Sequence, residues 1–144
     1  MADFEDIVEK KYNIIIQTME GIKELRKNSF EKRRTMSAKM LDTYPDCIPV
    51  IIDRYSKTDP EIKKHKYLCN GTDEIGLLLV IIRKNMMIPL SSGNALFVYS
   101  EKSKMLISPQ NVVGDLHNKY ADKDNFLYLY YSVENTFGSE PHKS

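Results

Sequence analysis

Apolar residues first recur every three or four positions in this chain, then gather into short alternating or continuous runs. Phe4, Val8, Tyr12, Ile15, Met19 and Ile22 fall on one face of a helix expected over residues 3–27, with Asp3 as its N-cap. Gly21 weakens that helix. Asn28-Ser29 interrupts the pattern, and Ser29 is placed to cap a second helix from Phe30 to about Thr43. This helix must stop before Tyr44-Pro45, because the residue preceding a proline is pushed out of the α region. Residues 48–53 are β-branched and apolar and predict a strand, in which Pro49 suits only the start or an edge. Residues 66–69 predict a short second strand, forming a hairpin across the polar loop 56–64. Thr72 is expected to cap the next helix, with Asp73 and Glu74 in its first turn and Arg83 and Lys84 in its last, matching the helix dipole. Ile75, Leu78, Leu79 and Ile82 form its buried face. A loop over 89–94, a strand over 95–99, a turn over 100–104 and a short return over 105–107 follow. Pro109 opens a helix to about Tyr120, and residues 126–132 form the last strand.

Without its first two helices, this order predicts an α+β β-grasp: a mixed four-stranded sheet with a central helix packed across it. The first and last strands are the most continuously apolar, so they pair in parallel at the centre. The expected organisation is an N-terminal helical extension over 1–27, a domain with its leading helix over 28–132, and a flexible tail over 133–144.

Composition narrows the chemistry. A chain of 144 residues is one ordinary domain, large enough for a core without disulfides or metal. Net charge +1 gives no general attraction to nucleic acid or anionic membrane, and no aromatic platform interleaves the basic residues, so nucleic acid is disfavoured as a partner. Cys47, Cys69 and three histidines are too few for a structural zinc site. No signal peptide is evident, so a cytoplasmic, reducing location and thiols rather than a disulfide are expected. The apolar run from Ile75 to Ile82 is too short to cross a bilayer. No nucleophile with its own base stands out, and neither enzymatic activity nor a cofactor is expected.

The tail is the strongest functional signal. The apolar strand runs into a polar spacer, then Phe137-Gly138, then Ser139 to Ser144. Ubiquitin-like modifier precursors look like this: the remnant is removed and the glycine carboxylate is used. Glycine has no Cβ, so its backbone can enter a narrow catalytic cleft of a partner enzyme. The alternative is a disordered stub with an incidental glycine.

Further motifs are Phe30-Glu-Lys-Arg-Arg34, Tyr44-Pro45-Asp46, Ile48-Pro-Val-Ile51, Lys66-Tyr-Leu68, Ile82-Arg-Lys84, Ala95-Leu-Phe97, Phe126-Leu-Tyr128 and Glu134-Asn-Thr-Phe-Gly138. Over residues 28–138 their order and spacing resemble the autophagy-related ubiquitin-like modifiers, the family of autophagy-related protein eight, microtubule-associated light chain three and GABA-receptor-associated protein. The resemblance implies that a cysteine protease cleaves after Gly138. It also implies that ubiquitin-like activating and conjugating enzymes pass the new carboxylate to phosphatidylethanolamine, and that the lipidated protein sits on the autophagosome membrane and recruits cargo receptors. The alternative is a β-grasp adaptor that is never conjugated and binds peptides in trafficking or on the cytoskeleton.

The resemblance further implies a reading surface for an aromatic-x-x-aliphatic peptide, added as a strand to the edge at Lys66-Tyr-Leu68. Its aromatic pocket maps onto Met36, Met40, Ile51, Lys66, Leu68 and Phe126. Its aliphatic pocket maps onto Tyr67, Cys69, Leu78 and Ile81. Ordinary core is the competing reading, and a pocket floor is also core. Lys32, Arg33, Lys64 and Arg83 are candidate basic contacts to partners; solvated charge, or for Arg83 the charge of a helix C-terminus, is the alternative. His65 and His117 read as surface histidines. Relatives often place a basic residue where Cys47 and Asn85 stand, the loop 88–94 is slightly longer, and Asn70-Gly71 replaces a stiffer turn.

Overall fold

The structure, a computed structural model, describes residues 21–135. Most of the helix expected over 3–27, and Gly138 with its tail, lie outside the described residues. What is described of that helix is one turn, α1 (Ile22–Leu25), followed by α2 (Phe30–Thr43). Ser29 caps α2 as expected, its hydroxyl accepting from the Lys32 amide at 3.1 Å. The helix ends at Thr43, ahead of Tyr44-Pro45.

The remaining elements are β1 (Cys47–Arg54), β2 (Lys66–Asn70), α3 (Ile75–Lys84), β3 (Asn94–Ser100), β4 (Leu106–Ile107), α4 (Val113–Tyr120) and β5 (Leu127–Asn135). The sheet order is β2-β1-β5-β3-β4. The fold is the expected α+β ubiquitin-like one, but the sheet has five strands, because the two-residue return at Leu106-Ile107 pairs with Val98 and Tyr99. β1 and β5 lie parallel at the centre, in register from Val50 with Leu127 to Arg54 with Tyr131. Both strands are buried on both faces, which is why their sequences are continuously apolar. Pro49 is tolerated because the ladder with β5 begins one residue later, at Val50.

Three local expectations fail for identifiable reasons. Thr72 does not cap α3: its hydroxyl donates to Asn70 Oδ1 at 2.7 Å, while Glu74 bridges to Val112 and stands at the N-cap without a side-chain bond. Asp73 and Glu74 therefore precede the first turn. Pro109 does not open a helix either, since its carbonyl and that of Asn111 accept from Gly76 and Ile75, and α4 starts only at Val113. There the chains meet so closely that a Cβ on Gly114 would lie 2.8 Å from the Gly71 carbonyl oxygen.

Helices cover both faces of the sheet. On one face, α3 and α4 build the larger core with Val50, Ile52, Tyr67, Cys69, Leu127, Leu129 and Tyr131. On the other, α1 and α2 place Ile22, Leu25 and Met40 over Ile51, Leu68, Phe126 and Tyr128, with Met36, Tyr44, Cys47 and Tyr130 at the margin.

Candidate functional site

β2 ends the sheet, paired with β1 from Cys47 opposite Asn70 to Ile51 opposite Lys66. Successive strand residues point to opposite faces, so this one strand serves both cores. Leu68 belongs to the α2 side, and Lys66 shares its face by alternation. Tyr67 and Cys69 belong to the α3 side.

The residues mapped to the aromatic pocket therefore come together: Met36 and Met40 of α2, Ile51 of β1, Leu68 of β2 and Phe126 ahead of β5 form one cluster. Those mapped to the aliphatic pocket, Tyr67, Cys69, Leu78 and Ile81, lie together in the other. Of the ten mapped residues, Lys66 included, nine are buried and only Met36 is half-exposed. A ligand would reach side chains buried in this way only by shifting them. Methionine, unbranched and polarizable, makes such a shift easiest on the α2 side. Ile22, Leu25 and Tyr128 join the aromatic-side cluster without having been mapped to it. Tyr128 follows Phe126 by two positions, and that spacing was the legible signal.

The four candidate basic contacts separate. Lys32 is exposed and Lys64 half-buried. Arg33 turns inward instead: its Nε donates to Asp124 Oδ2 at 2.9 Å and its Nη1 to the Asn28 carbonyl at 2.7 Å. Arg83 reaches the carbonyls of Asn94, at 2.6 Å, and Ser91, tying α3 to the start of β3. Its group serves the fold there, and so does that of Arg33.

Asp124 is fully buried. It also accepts from Tyr128 Oη at 2.5 Å and from the Phe126 amide at 2.9 Å. Its carbonyl accepts from Ser37 of α2. Burial, and then the bond to Asp124, pushes the Tyr128 phenol well above its usual range, so it stays a donor. This network fastens α2 to the sheet and was missed in the sequence, because Ser37 and Arg33 of α2 lie 87 and 91 residues from Asp124 along the chain.

The histidines are not plain surface residues. His65 Nδ1 lies 2.8 Å from the Ile52 carbonyl oxygen, and His117 Nε2 2.8 Å from that of Asn125. Asn85 is buried, donating to Tyr67 Oη at 3.1 Å and to the Ile81 carbonyl, so the polar group there braces the aliphatic side. Both cysteines are thiols, and burial pushes the Cys69 thiol far up, away from nucleophilic thiolate. Among the described residues no cluster of three or more His, Cys, Asp or Glu is arranged for a metal ion, and no helix is long and apolar enough to cross a membrane.

Comparison with known proteins agrees with this geometry. The family model described as "Autophagy protein Atg8 ubiquitin like" matches residues 32–138. Autophagy-related protein 8D of Oryza sativa subsp. japonica is 39% identical over 112 residues, which is 76% of this chain and 92% of the rice protein. The crystal structure of Trypanosoma brucei ATG8 superposes with a TM-score of 0.70 at 31% identity, covering 83% of this chain and all of that one. Plasmodium falciparum Atg8, solved in complex with a Plasmodium falciparum Atg3 peptide, gives a TM-score of 0.62 at 25% identity, covering 74% and 92%. With the fold, the paired apolar clusters astride β2 and these matches in agreement, the chain belongs to the Atg8 family of ubiquitin-like autophagy proteins.

Proposed function

We propose that this autophagy modifier acts through two parts: a conjugated C-terminus and a peptide-reading edge. The observation that carries the second is the alternation along β2, which puts Lys66 and Leu68 over one apolar floor and Tyr67 and Cys69 over another. An extended ligand added to this edge directs an aromatic side chain to the Met36–Met40 side and an aliphatic one to the Leu78–Ile81 side. Burying the two contributes roughly 1.5–3 kcal/mol each, so binding is modest and reversible, and multivalency on a membrane raises it. Lys32 and Lys64 favour acidic residues beside the motif. The peptide complex of the Plasmodium relative supports a peptide-docking surface and a conjugating-enzyme partner.

For the first part, the family match ends at Gly138 and leaves Ser139 to Ser144 beyond it. A cysteine protease hydrolyses the 138–139 peptide bond. An activating enzyme adenylates the Gly138 carboxylate with ATP and takes it as a thioester. A conjugating enzyme passes the acyl group to the amine of phosphatidylethanolamine, forming an amide and releasing the thiol. This chain supplies no catalytic group; it is cytoplasmic until lipidated and on the autophagosome membrane afterwards. Intact mass spectrometry of the protein from starved cells is expected to show a chain ending at Gly138 with a lipid attached, and Gly138→Ala is expected to remain soluble and unlipidated. A Gly138→Ala protein that still reaches membranes would favour the unconjugated adaptor.

A further inference from the structure

The chain's first residues carry the ligand pattern proposed for its own groove. Phe4-Glu5-Asp6-Ile7 is an aromatic residue, two spacers and an aliphatic residue, with Asp3 before it and Glu9 close behind. We propose that this segment is an intramolecular ligand of the β2 edge, so that the chain restricts access to its own peptide site. The proposal rests on the groove reading above.

The point of attachment favours it. The described chain begins at Gly21, pressed so closely on β1 that an added Cβ would lie 2.2 Å from Asp53 Oδ2. The Ile22 amide donates to that same oxygen at 3.2 Å. The other oxygen of Asp53 is 3.7 Å from Nδ1 of His65, the residue immediately before β2. Residues 1–20 are thus tethered beside the Lys66 end of the proposed groove. The stretch from Ile7 to Gly21 spans about 20 Å if helical and about 45 Å if extended. A five-residue strand such as β2 is about 17 Å long. Either conformation lets the motif lie along β2 without strain.

Charge favours it as well. Asp3, Glu5, Asp6 and Glu9 would meet the run Lys63, Lys64, His65 and Lys66. Charge also separates this segment from Tyr12-Asn13-Ile14-Ile15, which has the same spacing. There Lys10 and Lys11 precede the aromatic residue and would bring like charge to the basic run.

A tethered ligand need not bind tightly to matter. At an effective concentration on the order of 1 mM, a segment with an intrinsic Kd of about 100 μM occupies the groove some ten times more often than not. A competing ligand's apparent affinity falls by the same factor. Strong or clustered ligands displace it, and weak solitary ones do not.

The test uses the full chain and a labelled acidic peptide carrying Trp-x-x-Leu, titrated by fluorescence anisotropy at several protein concentrations. The double variant F4A/I7A is expected to bind the probe about tenfold more tightly than the unaltered chain, and Phe4→Trp more weakly, both independently of protein concentration. Equal affinity of all three chains would overturn the intramolecular ligand while leaving the groove intact. No binding by any of them would remove the groove reading, and the inference with it. A tenfold gain that disappears on dilution would overturn the intramolecular form in favour of capture by a second copy.

Discussion

The two faces of the sheet are built differently. Toward α3 and α4 lies one continuous core of aliphatic and aromatic side chains. Toward α1 and α2 lies a smaller cluster with methionine at its centre and margin, held down by the fully buried Asp124, whose carboxylate accepts from Arg33, Tyr128 and the Phe126 amide and whose carbonyl accepts from Ser37. The first face is stabilised chiefly by area removed from water, and it adapts less readily than a methionine-lined one. The second is fastened by directional bonds at one end and left adjustable at the other. Under the proposed function the adjustable side would take the ligand's aromatic anchor and the stiffer side its aliphatic one, and the division between them passes through a single strand, β2.

Three substitutions test that division. The largest effect is expected on the α3 side, where Leu78→Ala should cost about 3–4 kcal/mol, read as a lower urea midpoint, because a well-packed floor leaves a cavity when truncated. A loss under 1 kcal/mol would mean that this side has room to spare. Next is Asp124→Asn, which preserves shape but removes the charge that Arg33 and Tyr128 meet. It should cost about 2–3 kcal/mol, and a double-mutant cycle with Tyr128→Phe should show coupling. Additive effects would show that the network does not act as a unit. The smallest stability change, under about 1 kcal/mol, is expected for Met36→Ala at the half-exposed margin. Peptide affinity measured by calorimetry should nevertheless fall about fivefold, the equivalent of roughly 1 kcal/mol of lost apolar burial. If stability falls and affinity holds, the α2 side is core like its counterpart.

Much of this was legible in the chain because it was local. The uninterrupted apolar runs of β1 and β5 announced a buried central pair, Ser29 announced the start of α2, and the spacing of Ile75, Leu78 and Ile82 announced the face of α3. What was not legible depended on distant choices. The sequence 30–34 presents three adjacent basic residues, and nothing nearby says that Arg33 alone will meet Asp124. Thr72 has the chemistry of a cap, but its hydroxyl donates to the side chain of Asn70 instead. His65 looks like part of a solvated run until β1 places the Ile52 carbonyl against it. The candidate groove was readable because strand alternation assigns its residues to sides. How deeply they are buried was not, since that is set by helices arriving from elsewhere.

The closing strand has one more consequence. β5 stays paired to its last residue, Asn135 opposite Asn94, and Gly138 follows only three positions later. Three residues span at most about 10 Å. Anchored through that glycine, the globule would ride on a leash shorter than its own radius, with the rim of its sheet held against the headgroups and little liberty to tumble.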